Sequence, residues 1–235
     1  MGFKSFGLQP KIQPPFLGWP ASVIGIIEDA IRVSAPLIES ALGGRAAVLG
    51  ANENSLTNAL QKILCDVLDD GSIVDGFSTK VFQTPTRDAS VENFSGNNIN
   101  KKPDLTFYRT GSARLLDGWF CECKILDKSH KKYDYLYDGI LRFIDGTYAW
   151  ANPHAQMIGY VREPSFTLND LTKYLETKPS KGQPTHGEAL LLNGAPQLSS
   201  GDVLTTEHSR NFVLETVEGM PSPGAIELRH LWLTL

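Results

Sequence analysis

The chain has 235 residues, 41% hydrophobic and 20% charged, with a formal net charge of −4. These are the proportions of a soluble globular protein, and the length suits one sizeable α/β domain. The apolar run Phe16 to Ile27 is broken by prolines and ends at Glu28-Asp29, which excludes a membrane span, and the opening residues lack a secretory leader's pattern.

Residues 1–20 hold four prolines and little periodicity, so an extended N-terminal arm is expected, followed by a single domain over 21–235. Ala21 to Leu42 places Ile24, Ile27, Ile31 and Leu37 at helical spacing. Pro36 divides this stretch into two short helices, because a helix-interior proline costs about 3 kcal/mol. Asn52 or Asn54 can cap a stronger helix whose stripe is Leu56, Leu60, Ile63, Leu64, Val67 and Leu68, stopped at Gly71. Thr79 to Gln83 reads as a short strand, and Thr84 to Lys102 as a polar loop. Asp104 to Tyr108 and Gly118 to Leu126 read as two strands, Tyr133 to Trp150 as a helix, and Gln156 to Val161 as a buried strand. Phe166 to Thr177 reads as a helix, Glu188 to Leu192 as a strand, and Ala225 to Leu235 as a strand tied into the sheet. No repeat or low-complexity tract interrupts this order, which fits a central mixed β-sheet flanked by helices.

The three cysteines, Cys65, Cys121 and Cys123, are an odd number, and two share one predicted strand face where they cannot easily bridge. They read as reduced buried thiols of a cytoplasmic protein. No His/Cys cluster has zinc spacing, no glycine-rich phosphate loop is present, and no nucleophile-elbow motif supports serine catalysis.

Pro103-Asp104 and Glu122-Cys123-Lys124 carry the chemistry, with seventeen residues between Asp104 and Glu122. Side chains two apart on a strand point the same way, so Glu122 and Lys124 share one face while Cys121, Cys123 and Ile125 take the other. Two charges in the middle of an otherwise apolar strand are costly unless paired or metal-bound. Two carboxylates from neighbouring strands beside an ammonium suit a hard divalent cation and a positioned charge, the apparatus for cleaving a phosphodiester. Between residues 101 and 132 the formal charge is +4, against −8 for the rest, so positive charge gathers where a phosphate backbone would approach. Lys101, Lys102, Lys128, Lys131 and Lys132 are the candidate nucleic-acid contacts there, with Arg210 beside His208 as a further one.

These residues resemble the PD-(D/E)xK nuclease superfamily, with Cys123 in the middle of the Glu-x-Lys triplet. The resemblance implies a restriction-endonuclease-like core and a magnesium cofactor, with manganese as a substitute. It makes Asp104 and Glu122 the metal ligands, with the Cys123 backbone carbonyl as a third. Glu53, at the start of the Asn52 helix, would complete the site, although an acid there also suits the helix dipole. Lys124 is read as orienting the attacking water and offsetting charge rather than as a base, because nearby carboxylates hold it as an ammonium. Gln156-x-x-x-Tyr160 matches a motif of the superfamily's exonuclease branch, but it falls in a strand here instead of a helix, which favours chance.

The expected function is a magnesium-dependent DNA endonuclease of restriction or defence against foreign DNA. It would be a homodimer or higher assembly, since double-strand cutting needs two sites, with a regulatory partner left open and no membrane association. The alternative is a nucleic-acid-binding subunit on the same fold that does not cut. RNA as substrate is a third reading.

Overall fold

The structure is a computed structural model that describes residues 15–91, 102–112, 115–128, 132–163, 165–176, 195–199, 203–210, 212 and 224–235. The expected strand over 188–192 lies outside these residues, as do Lys101, Lys131 and most of the expected loop between 84 and 102.

A six-stranded mixed sheet runs β1 (Leu105–Phe107), β2 (Trp119–Leu126), β3 (His154–Val161), β6 (Ile226–Thr234), β5 (Val203–His208) and β4 (Gln197–Ser199). The β1–β2 pair is antiparallel, with Leu105 opposite Cys121. β2, β3 and β6 are mutually parallel neighbours, and the far edge returns antiparallel through β5 and β4.

Period-two alternation sorts the two cores. Cys121, Cys123, Ile125, Ile158, Tyr160, Leu231 and Leu233 face α1 (Ala21–Ser34), α2 (Leu37–Leu42), α3 (Arg45–Gly50) and α4 (Glu53–Asp70). Phe120, Leu126, Met157, Ala155 and Leu228 face the other layer. That layer comprises α5 (Lys132–Tyr135), a π-helical stretch (Leu136–Ile140), α6 (Leu141–Ile144) and α7 (Leu168–Glu176). The sheet is therefore flanked by helices on both faces, as its near-continuous apolar central strands require. Among the described residues no helix is long and apolar enough to cross a membrane.

Pro36 separates α1 from α2, and Gly43 closes α2 in the left-handed region. The Asn52 side chain accepts from the Ser55 backbone at 2.8 Å and caps α4, and Gly71 ends it at φ 65°.

The structure adds to or corrects the expectations at four places. The described end of the N-terminal arm packs onto the domain: Phe16 and Trp19 are buried, and the Phe16 amide donates to Ala151 O. Burial of two aromatic rings outweighs the stiffness of the surrounding prolines. Residues 79–83 form a turn with one isolated bridge, Phe82 to Arg109, because Val81 and Phe82 bond back to Ser78 O. The helix expected over 133–150 stops at Ile144, where Asp145 accepts from the Thr147 amide and hydroxyl and Gly146 turns the chain at φ 72°. β4 and β5 were not expected at all, since Thr205, Thr206 and His208 make that stretch look polar. Thr206 and His208 are nonetheless buried, and the Thr206 hydroxyl links the His208 and His230 rings at 2.8 Å each.

Candidate active site

β1 is three residues long, and its brevity creates the site. Its pairing with β2 ends at Leu105 and Cys121, so beyond that point the outer edge of β2 has no strand beside it. The exposed edge amides are taken by carboxylates instead. Asp104 Oδ2 accepts from the Cys123 amide at 2.8 Å, and the Ile125 backbone hydrogen-bonds to the Glu53 carboxylate. Glu53 reaches the edge because the Asn52 cap fixes the start of α4 there. The same gap lets a side chain from the α4 face meet side chains from the opposite face.

Lys124 stands at the centre. Its ammonium donates to Glu122 Oε1 at 2.6 Å, Cys123 O at 2.9 Å and Glu53 Oε1 at 3.0 Å, with Asp104 Oδ2 at 4.0 Å. The four residues singled out in the sequence, together with the Cys123 carbonyl, thus converge on one point from α4, the turn before β1, and β2. Glu122 is fully buried, and both its oxygens are occupied. Arg142 donates to Oε1 and Tyr148 to Oε2, and Arg142 also donates to the Tyr148 hydroxyl at 3.3 Å.

Three carboxylates face two cations, Lys124 and Arg142, so the cluster carries a formal −1 when all are ionised. Burial pushes Glu122 up to about 7, and Asp104 adds to the rise while Lys124 and Arg142 oppose it. Burial likewise raises Asp104, against Lys124, the Cys123 amide and Arg142, with Asp88 adding to the rise. Glu53 is raised by burial and restrained chiefly by Lys124. For Lys124, burial alone would lower the pKa, but Glu122, Glu53 and Asp104 together outweigh it and hold the group above the ordinary lysine value. Lys124 is a fixed positive charge here, not a base.

Arg142 and Tyr148 were missed in the sequence. A buried Glu122 demands a cation, yet nothing local says which arginine supplies it. Arg142 follows the π-helical stretch, a rare form that often marks functional positions. Gly139 in that stretch passes close to the site: a Cβ there would lie 2.6 Å from Met157 Cε and 3.7 Å from Lys124 Cγ. Tyr148 sits on the turn after Gly146, next to Ala149, whose φ of 55° is unusual for a residue with a side chain.

The basic residues fare differently. Arg210 donates to the carbonyls of Ala149, Trp150 and Asn152, and burial lowers its pKa to about 10. Its Nη1 and Nη2 hold the turn that presents Tyr148, while its Nε is buried without a hydrogen-bond partner. Lys128 is exposed and pairs with Glu163 at 3.4 Å, Lys102 is half-buried, and Lys132 opens α5. Lys101 and Lys131 lie outside the described residues. His208 is a buried structural group, not a reactive one. Gln156 and Tyr160 sit on the α4 face of β3, where Gln156 bonds Trp119 and Glu28 and Tyr160 bonds Thr57 and the Cys123 side chain.

The donor set is all hard oxygen: three carboxylates and one backbone carbonyl, the chemistry of a magnesium or manganese site. As they stand, no three His, Cys, Asp or Glu side chains among the described residues are arranged to hold an ion. The oxygens are gathered about the Lys124 ammonium instead, a monovalent charge at their centre. In kind and number these ligands fit a divalent cation.

In comparisons with known proteins the chain matches no family model, no curated protein and no solved structure.

Proposed function

We propose that the protein is a magnesium-dependent endonuclease that hydrolyses DNA phosphodiester bonds on a restriction-endonuclease-like core. The observation that carries this reading is the convergence of Glu53, Asp104, Glu122 and the Cys123 carbonyl around Lys124 at the open edge of β2. An ion pair serving stability alone has no need of a third carboxylate, and replacing such a buried cluster by apolar residues is often neutral or stabilising. A −1 cluster of oxygens at a strand edge is instead matched to an arriving cation.

Glu53, Asp104, Glu122 and the Cys123 carbonyl would hold the ion, which supplies Lewis-acid stabilisation of the phosphate and a more acidic water. Lys124, kept charged by its three carboxylates, places a positive group beside the reacting phosphate and orients water by donating to it. Tyr148 fixes the Glu122 carboxylate in one rotamer, and the Asp104–Cys123 bond does the same for Asp104. Burial of Glu122 and Lys124 excludes bulk water from this part of the site and strengthens each of these charges. A single domain offers one such cluster, so cutting both strands calls for a homodimer.

The test is cleavage of supercoiled plasmid and single-stranded DNA, with and without magnesium, by wild type, Asp104→Asn and Lys124→Met. Wild type should nick or linearise the DNA in magnesium alone, and both variants should be inactive while folded. Cleavage retained by folded Asp104→Asn and Lys124→Met refutes the assignment. Wild-type binding in chelator with no cutting when magnesium is added would leave the non-catalytic binding subunit as the function.

A further inference from the structure

The geometry points to Arg142 as the side chain that clamps the phosphate undergoing cleavage. This contact rests on the nuclease reading above and extends it to the substrate. Arg142 uses a single nitrogen, Nη1, for both Glu122 and Tyr148. Its Nε is buried without a hydrogen-bond partner, as are those of Arg87, Arg162 and Arg210, so what sets Arg142 apart is its place against Glu122 in the carboxylate cluster. The Arg142 side chain is 20% exposed, against 8% for Lys124 and 0% for Glu122, so of the two cations in the cluster it lies nearer to solvent and to an arriving backbone. A planar guanidinium can offer parallel donors to two oxygens of one phosphate, a two-point contact that an ammonium cannot copy.

A second effect favours the same role. In the cluster described here, Arg142 and Lys124 share Glu122 Oε1. A divalent ion among these carboxylates would take over part of that neutralisation, leaving more of the Arg142 charge for the phosphate. The residue would then anchor Glu122 on one side and the substrate on the other, with Tyr148 keeping Glu122 in place.

Arg142→Gln and Arg142→Lys test this beside wild type. Duplex binding is followed by fluorescence anisotropy in calcium over a range of salt, and cleavage is followed in magnesium. Arg142→Gln should flatten the dependence of log K on log salt by roughly 0.9, the value of one lost phosphate contact. It should also slow cleavage about a hundredfold, as loss of one transition-state donor does. Arg142→Lys should restore the slope yet stay at least about tenfold slow, because the two-point contact is gone. An unchanged slope in Arg142→Gln, or full-rate cleavage by Arg142→Lys, overturns the proposal. If circular dichroism shows Arg142→Gln unfolded, the Arg142→Lys cleavage rate decides. Wild type that binds duplex but never cuts sinks the nuclease reading and leaves the slope to judge Arg142, whereas wild type that does not bind sinks both.

Discussion

Replacing Glu122 with glutamine separates a site built for function from an ion pair built for stability. The folded protein holds Glu122 near pKa 7, against an ordinary 4.5, with burial the main cause. Between those values the folded state binds more protons at this position than the unfolded chain does. Stability from this group is therefore fully present below about pH 4.5 and is lost as pH rises through about 7. A rise of this size corresponds to on the order of 3 kcal/mol once Glu122 is ionised. Glutamine does not titrate, so it escapes that penalty. It also leaves Glu53 and Asp104 to balance Lys124 and Arg142, giving two anions for two cations.

Urea titrations of both proteins across this pH range, in chelator, give the difference directly. Near pH 4.5 the two should be about equally stable, and above about pH 7 Glu122→Gln should be the more stable, by up to about 3 kcal/mol. For a chain of this size each kcal/mol corresponds to roughly 2–4 °C in Tm, so melting curves show it as well. The same variant should lose magnesium-dependent cleavage. A gain in stability with loss of activity is the mark of a group kept for chemistry. If Glu122→Gln is instead less stable by about 3–5 kcal/mol at every pH, as breaking a needed buried ion pair would make it, the reasoning fails.

Three other substitutions probe the scaffold. Asn52→Ala removes the α4 cap and should cost about 1 kcal/mol in urea titrations, and it should lower magnesium affinity, measured calorimetrically, because Glu53 loses its fixed origin. Ala149→Gly relieves a left-handed backbone and should stabilise the fold by about 1 kcal/mol in the same titrations. Arg210→Met should leave the salt dependence of DNA binding unchanged, because the guanidinium is held by the 149–152 turn. It should slow cleavage by loosening Tyr148 from Glu122.

Much of the sheet's centre was legible because period-two alternation is a local property. Trp119 to Leu126 shows its two faces in the sequence, and Pro36, Asn52 and Gly71 mark helix boundaries through their own backbone preferences. The Glu122/Lys124 pairing followed from the same alternation. Arg142 and Tyr148 were not legible, since their meeting with Glu122 depends on where α6 stops and how the Gly146 turn folds back. The partners of Arg210 were not legible for a related reason. Its neighbours Glu207, His208 and Ser209 look solvated in sequence, while its actual partners are carbonyls some sixty residues away. β5 escaped notice because Thr206 and the two histidines satisfy each other across strands, which hides a buried face behind polar residue types.

The length of β1 links these observations. Were β1 to continue past Leu105 towards its N-terminus, its backbone would take up the Cys123 and Ile125 amides as ladder bonds, and no carboxylate would be needed at the edge. Pro103 works against that extension, because it has no amide to donate and stands immediately before Asp104. The strand therefore ends where the proline puts it, and Asp104 and Glu53 supply the acceptors that backbone would otherwise provide. Asp104 holds the Cys123 amide through Oδ2, and Glu53 joins the Ile125 amide to the Lys124 ammonium. The Pro-Asp step thus does two jobs in two residues: it opens the sheet, and it fills the opening with a carboxylate held in place by the chain it faces.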